Sequence, residues 1–294
     1  MTKAVTLFAV GRTVGWIGHA REQYGQECPA RPRATYSPTR HVHRLATPAI
    51  EDFGRTSWIG GLPLALLLMD FTLQHEHAWD VSTDEAVRIQ ERRAPAVRRE
   101  PLPRRPQTVA GVDVSIRSGV AQAAIAVLRL PELEVVAEAV HRCDVPFPYV
   151  PGLLSFREMP ALLPALRELE ASPDLFMLDS QGRAHPRRFG LACHFGVLAG
   201  QPALGVAKSR LTGQRAGALP AEKGSRVPLV GEDAPDETIG AVVRTRSGTN
   251  PVYVSVGHRI TLEEAVDVTL RCSPRYKIPE PTRAAHRLSR REEA

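Results

Sequence analysis

The sequence predicts an α/β protein whose central sheet mixes antiparallel and parallel strands and is flanked by helices. Three observations carry this. Residues 108–115, 121–130 and 133–143 read as strands joined by turns too short for a crossover, so they form an antiparallel meander. Beyond them, two short apolar runs at 175–179 and 202–207 alternate with helical patterns at 155–170 and 187–199. The first of those runs ends on a carboxylate, Asp179, at the strand end where α/β sheets put ligand sites.

Size and composition permit such a fold without naming its task. The 294 residues suffice for one large domain or two small ones, and a 43% hydrophobic content supports a sizeable core. A net charge of +6 favours a polyanionic partner. The excess is uneven, however. Residues 1–68 hold eight Lys/Arg against four Asp/Glu, so the rest of the chain is barely basic and its charge alone does not establish a nucleic-acid groove. Cys28, Cys143, Cys193 and Cys272 stand far apart, with no CxxC pair, and read as reduced thiols of a cytoplasmic protein. No apolar run reaches the length of a membrane span, and the run at 4–10 is broken by Arg12 before any cleavage site. The expectation is a monomer with no membrane partner.

In chain order, residues 1–68 mix Arg, Pro, His, Gly and Trp with no sustained period and read as a poorly ordered extension, or as upstream sequence translated from a misplaced start with Met69 the initiator. Deleting them is expected to leave fold and activity intact, and loss of soluble, active protein on that truncation would refute this. The catalytic domain is then 69–283. Ser82-Thr-Asp-Glu85 is a capping box opening a short helix that Ala94-Pro95 ends. A charged, proline-rich connector at 98–106 leads into the meander. The loop Val145-Pro-Phe-Pro-Tyr-Val-Pro-Gly152 precedes the helix at 155–170, which Pro173 closes. Residues 216–249 read as loops and edge strands, 251–255 as a strand and 262–272 as a helix. The tail from Pro274, and 284–294 above all, reads as basic and flexible. This order is typical of a ribonuclease-H-like fold and fits other α/β topologies too.

Chemistry concentrates on three acids. Asp113 stands mid-strand, where Asp is disfavoured and costly to bury. A catalytic role is preferred over a register-fixing one, and Gly111 on the same face would leave open space beside the carboxylate. Glu158 is ambiguous, because Ser155-Phe-Arg-Glu158 is itself a capping-box pattern. Asp179 ends a buried strand, and Gln181-Gly182 after it suits a backbone that approaches something closely. Three carboxylates without Cys or paired His at ligand spacing point to a hard cation, Mg²⁺ or Mn²⁺, and so to metal-assisted phosphodiester hydrolysis. His185 reads as a general acid, a proton shuttle, a metal-adjacent group or a cap for the next helix. Arg187 and Arg188 read as phosphate contacts or as ordinary surface, and Lys208 as a cation over the site or a surface lysine after a strand. His258 approaches from the far side or sits in a turn. Tyr149, between Pro148 and Pro151, either stacks on bases or tucks into the core.

At these residues the chain resembles the endonuclease V family of repair nucleases. The matching stretches are Val109-Ala-Gly-Val-Asp-Val-Ser115, Pro148-Tyr-Val-Pro-Gly-Leu-Leu-Ser-Phe-Arg-Glu158, Asp179 through His185-Pro-Arg-Arg188, Gly205-Val-Ala-Lys208, Gly257-His-Arg259 and Pro279-Glu-Pro-Thr-Arg283. The resemblance implies a ribonuclease-H-like fold with catalytic Mg²⁺ bound by Asp113, Glu158 and Asp179, and a histidine, His185, beside the site. It implies that Lys208 holds phosphate and that Tyr149, with Pro148, Pro151 and Gly152, forms a wedge separating bases at the lesion. The implied substrate is DNA carrying hypoxanthine, read in a pocket and nicked at the second phosphodiester on its 3′ side, leaving 3′-hydroxyl and 5′-phosphate ends. Some members also cut inosine-containing RNA. The chain departs from the family loop Asp-Gly-His-Gly, reading Asp179-Ser180-Gln181-Gly182, so a lesion-binding protein without turnover stands as the competing expectation.

Overall fold

A computed structural model describes residues 73–292. The expectations for residues 1–68, and Cys28, fall outside them.

Nine strands form one sheet in the order β3-β2-β1-β4-β5-β9-β8-β7-β6. The meander is β1 (Thr108–Arg117), β2 (Val120–Arg129) and β3 (Glu134–Asp144), each antiparallel to the next. β4 (Leu175–Leu178) and β5 (Ala203–Ala207) continue the sheet parallel to β1. The remaining strands, β9 (Val252–His258), β8 (Thr238–Val243), β7 (Arg226–Val230) and β6 (Gln214–Arg215), extend it antiparallel. The segment 216–249 is therefore more regular than its sequence suggested. Pro228, which cannot donate to a ladder, lies within β7 opposite Ala241 and masks the strand pattern.

Alternation along β1 and β4 sorts side chains to two faces. Ala110, Val112, Phe176 and Leu178 pack with α2 (Leu154–Arg167) and α3 (Leu191–Ala199). Val109, Leu175 and Met177 pack with α4 (Leu262–Arg271). Ala124, Ala126 and Leu128 of β2 meet Ala284, Ala285 and Leu288 of α5 (Glu280–Ser289). Helix α1 (Thr83–Arg93) starts where expected, with Ser82 Oγ accepting from the Glu85 amide at 3.2 Å, while the Glu85 carboxylate pairs with Arg88 and Arg92 instead of closing the capping box. It buries Ala86 and Ile89 against Phe147, Leu153 and Phe156, beneath the proline-rich loop.

Three readings need correction. The end of the chain is not a flexible basic tail from 284, because residues 280–289 form α5. Its Arg283 and Arg287 made the segment look solvated, while the small apolar stripe Ala284, Ala285 and Leu288 docks on β1 and β2. Gly111 does not open space beside Asp113. A Cβ there would stand 1.9 Å from the Pro281 carbonyl oxygen, so the missing side chain admits the start of α5. The helix expected at 187–199 begins only at Leu191, since Arg188 adopts φ 56° and the chain before it is a stapled loop. Among the described residues no helix is long and apolar enough to cross a membrane.

Candidate active site

Strand register brings the two aspartates together. In the parallel β1–β4 ladder Val112 sits opposite Leu178, so Asp113 and Asp179 are the next pair, on adjacent strands and the same face. The Asp179 amide continues the ladder, donating to the Val112 carbonyl at 3.1 Å. Asp113 Oδ2 accepts from Ser289 Oγ at 2.7 Å and from His286 Nδ1 at 3.1 Å, both on α5. Lys208, just past β5, lays its Nζ against Asp179 Oδ2. Burial raises the Asp179 carboxyl above the usual range, against the pull of Lys208, and the nearby Asp113 charge raises it further.

Glu158 comes from the other side, on α2. The capping-box alternative fails on geometry. The helix begins at Leu154 behind an N-cap, Leu153, that makes no side-chain cap bond, and Ser155 Oγ instead meets His194 Nδ1 at 2.9 Å. Glu158 is pushed up to about 8, first by burial and then by the charges of Asp113 and Asp179, with Arg157 opposing. The three acids thus share one electrostatic environment and cannot comfortably ionise together. A divalent cation would relieve that repulsion, and an all-oxygen donor set suits a hard one. Among the described residues no three His, Cys, Asp or Glu side chains stand as a ready-made metal cluster. Lys208 and the pair His286 and Ser289 engage the two aspartates instead.

Glu158 also gives stability a pH dependence. An acid whose folded pKa stands above its unfolded value binds more protons folded than unfolded. The contribution of Glu158 is therefore full below pH 4.5 and is lost as pH climbs through about 8. His185 and His258, lowered to about 4, act with the opposite sign below pH 6.5, so in EDTA the Glu158 contribution should show above that pH as a falling melting temperature that Glu158→Gln flattens. An identical slope in the variant would show that the carboxyl is not held protonated by its neighbours.

His185 and Arg187 direct their hydrogen bonds at the protein itself. The carbonyl of Gly152 accepts one from each, from Arg187 Nη2 at 2.8 Å and His185 Nε2 at 2.9 Å, and a third from Gln90 Nε2 at 3.0 Å. Arg187 Nε also donates to Gln90 Oε1 at 2.6 Å, and the Arg187 amide donates to His185 Nδ1 at 3.2 Å. Both ring nitrogens of His185 are engaged, as a neutral Nε2–H tautomer, and burial lowers its pKa to about 4. These residues clamp Gly152, whose φ of 79° makes the bend that a Cβ would strain. Arg188 pairs with Glu237 at 2.8 Å.

The clamp stiffens the loop above it. Phe147 is buried, and its carbonyl accepts from Arg157 Nη1 at 2.9 Å. Between Pro148 and Pro151 the Tyr149 ring stands 69% exposed. It rims a cavity of about 370 Å³ that also takes in Asp179, Ser180, Gln181, Ser209 and Lys208. The alternative of a Tyr149 ring tucked into the core is therefore not seen. Gly182 does approach something closely, but that is the Val256 carbonyl of β9, 2.1 Å from where its Cβ would lie.

His258 does not join the site. It pairs with Ala203 at the start of β5, while Asp179 follows the opposite end of β4. Three residues along the sheet, about 10 Å, separate the two levels. Its Nδ1 accepts from the Arg98 amide at 3.2 Å, pinning the connector, and burial lowers its pKa to about 4. Sequence reasoning missed His286, Ser289, Gln90 and Arg157. A signal existed for the first two, since Pro279-Glu-Pro-Thr-Arg283 is a helix start with proline in its first turn.

Comparison with known proteins agrees with this geometry. The family model described as Endonuclease V matches residues 91–287. Endonuclease V of Roseiflexus castenholzii is 49% identical over 218 residues, 73% of this chain and 95% of that protein. Endonuclease V of Nostoc punctiforme is 44% identical over 217 residues, 73% and 96% of the two chains. Among solved structures, endonuclease V of Streptomyces avermitilis is similar at a TM-score of 0.68 and 45% identity, covering 72% of this chain and 93% of that one. Ciona intestinalis endonuclease V, solved with a 23mer DNA containing an inosine followed by a ribo-adenosine, is similar at a TM-score of 0.63 and 26% identity, covering 71% and 97%. The matched region holds the meander, both aspartates, Glu158 and the clamped loop, and the chain belongs to the endonuclease V family.

Proposed function

We propose that this nuclease is a Mg²⁺-dependent DNA-repair enzyme, with Mn²⁺ able to substitute. It recognises deoxyinosine and hydrolyses the second phosphodiester 3′ to it, leaving 3′-hydroxyl and 5′-phosphate ends. The observation that carries the reading is three coupled acids, one of which, Asp179, lines a cavity rimmed by an exposed, braced tyrosine. Asp113, Glu158 and Asp179 would hold the cation, which when bound supplies Lewis-acid polarisation of a phosphoryl oxygen and a more acidic water. Lys208 is half exposed on Asp179 and can exchange that carboxylate for a backbone phosphate. On α5, His286 and Ser289 together orient the Asp113 carboxylate. His185, Arg187 and Gln90 keep Gly152 fixed, so that Tyr149 can enter the stack without its loop yielding. An extruded base would then occupy the cavity beside Asp179.

The test is nicking of a labelled duplex with one deoxyinosine, in Mg²⁺ and in EDTA, mapped to the nucleotide. A Mg²⁺-dependent nick one nucleotide beyond the lesion supports the proposal, and binding without a nick favours the lesion reader. Inosine-containing RNA in the same assay decides between nucleic acids. Tyr149→Ala should reduce discrimination between inosine and normal duplex by about tenfold, the range of one lost base-stacking contact, while general DNA affinity falls less. Equal losses on both duplexes would remove the wedge role.

A further inference from the structure

Like charges brought together repel, and an anion between them turns the repulsion into attraction. Strand register brings a second lysine to the side of Lys208. Leu204 and Val206 of β5 pack in the cluster that holds α4, so alternation turns Lys208 to the same face. Ala207 pairs with Tyr253 of β9, so Lys208 is level with Val252, which pairs in turn with Val243 at the end of β8. Just past β8 the Thr245 hydroxyl donates to the Lys277 carbonyl at 2.5 Å. Ile278, the next residue, packs on the α4 cluster too. Lys277 therefore stands on the sheet face of Lys208 and at the same end. The segment that carries it is fastened on both sides. Lys223 Nζ donates to the Ser273 carbonyl at 2.6 Å, the Glu280 amide donates to the Cys272 carbonyl at 2.8 Å, and the Arg283 guanidinium lies 3.5 Å over the Tyr276 ring. Among the described residues no hydrogen bond or ion pair reaches the Lys277 ammonium. Partial burial lowers its pKa, and the Lys208 charge lowers it further. Asp179 answers the charge of Lys208 and leaves that of Lys277 uncompensated.

We infer that Lys277 binds the phosphate next to the scissile one on its 3′ side, and so holds the strand downstream of the nick. The order of groups gives the direction. Tyr149, Asp179 and Lys208 line the cavity proposed for the extruded base, and Lys277 is not among its walls. A strand leaving that cavity passes Asp179 and Lys208 before it meets Lys277. The nick falls on the 3′ side of the lesion, so the phosphate beyond the acids is the next one 3′. A phosphodiester there sets a negative charge beside both ammonium groups and relieves their repulsion. It also fixes the strand while Lys208 exchanges Asp179 for the scissile phosphate. A phosphate carries no base identity, so this contact adds affinity without lesion preference. The inference rests on the proposed function, since it needs a strand running from the cavity across the acids.

The experiment measures binding in EDTA of inosine-containing and unmodified duplexes by the wild-type protein, Lys277→Gln and Lys277→Arg. The Gln variant should bind both duplexes about tenfold more weakly, the size of one charge-assisted hydrogen bond. Its slope of log Kd against log salt should be smaller by about one. Lys277→Arg should restore both, and melting temperatures should stay level, because no protein partner is lost. An inosine duplex with a neutral methylphosphonate at the phosphate 3′ to the nick site locates the contact. The wild-type protein should lose about tenfold on it, and the Gln variant nothing more. Unchanged affinity and salt slope in the Gln variant, or a Gln variant that loses as much as the wild type at that methylphosphonate, overturns the inference and leaves the proposed function standing. Failure of the wild-type protein to nick the inosine strand in Mg²⁺ overturns both.

Discussion

Asp179→Ala and Asp113→Ala are each expected to reduce nicking of inosine-containing duplex by at least about a thousandfold, since a bound cation contributes several kcal/mol of transition-state stabilisation. Binding of the same duplex should survive, because the cavity and the Tyr149 loop are held by other residues. The two variants also carry a signature that mere loss of structure would not produce. The charges of Asp113 and Asp179 help hold the Glu158 pKa near 8, so removing either should bring it down. The pH dependence of stability attributed to Glu158 should then weaken in both. Nicking that persists in both variants would overturn the assignment of these acids. Loss of nicking with Glu158 still titrating near 8 would show that the acids act without the coupling described here.

Gly111→Ala is expected to be the most disruptive single-methyl change in the domain. The new Cβ would lie 1.9 Å from the Pro281 carbonyl oxygen and 2.8 Å from the Thr282 nitrogen, and backbone cannot swing aside as a side chain can. Overpacking of this kind costs about 1–3 kcal/mol or more. The effect should reach the chemistry too. Helix α5 begins at that contact and carries His286 and Ser289 to Asp113. Displacing it would leave the carboxylate without its two donors. Urea unfolding and nicking measured on the same preparation check both parts. A Gly111→Ala protein with unchanged midpoint and activity would mean that α5 seats loosely and that Asp113 does not depend on it.

Local patterns were legible because they depend on near neighbours. The meander, the two short buried strands and the cap at Ser82 each appear where their residues require. The readings that stayed open share a cause. Glu158 was ambiguous because a capping box and a helix that starts two residues earlier differ by nothing in the sequence itself, and the helix start at Leu154 and the contact from His194 to Ser155 separate them. His185 read as an acid, a shuttle, a metal-adjacent group or a cap, and Arg187 as a phosphate contact or surface, because a ring or a cation in a loop near an acid suits each of these. Three donors converging on one carbonyl cannot be read from spacing.

By itself the sequence determined the fold class and the family and marked out three acids as candidates, because apolar periodicity, turn lengths and motif order are properties of consecutive residues. The tertiary structure alone decided how those acids are held. Asp113 and Asp179 become neighbours through the register of two strands distant in sequence, and α5 reaches Asp113 from the far end of the chain. Burial and mutual repulsion then set the state of Glu158. Such effects depend on distances through space, and a chain does not carry those distances until it has closed on itself.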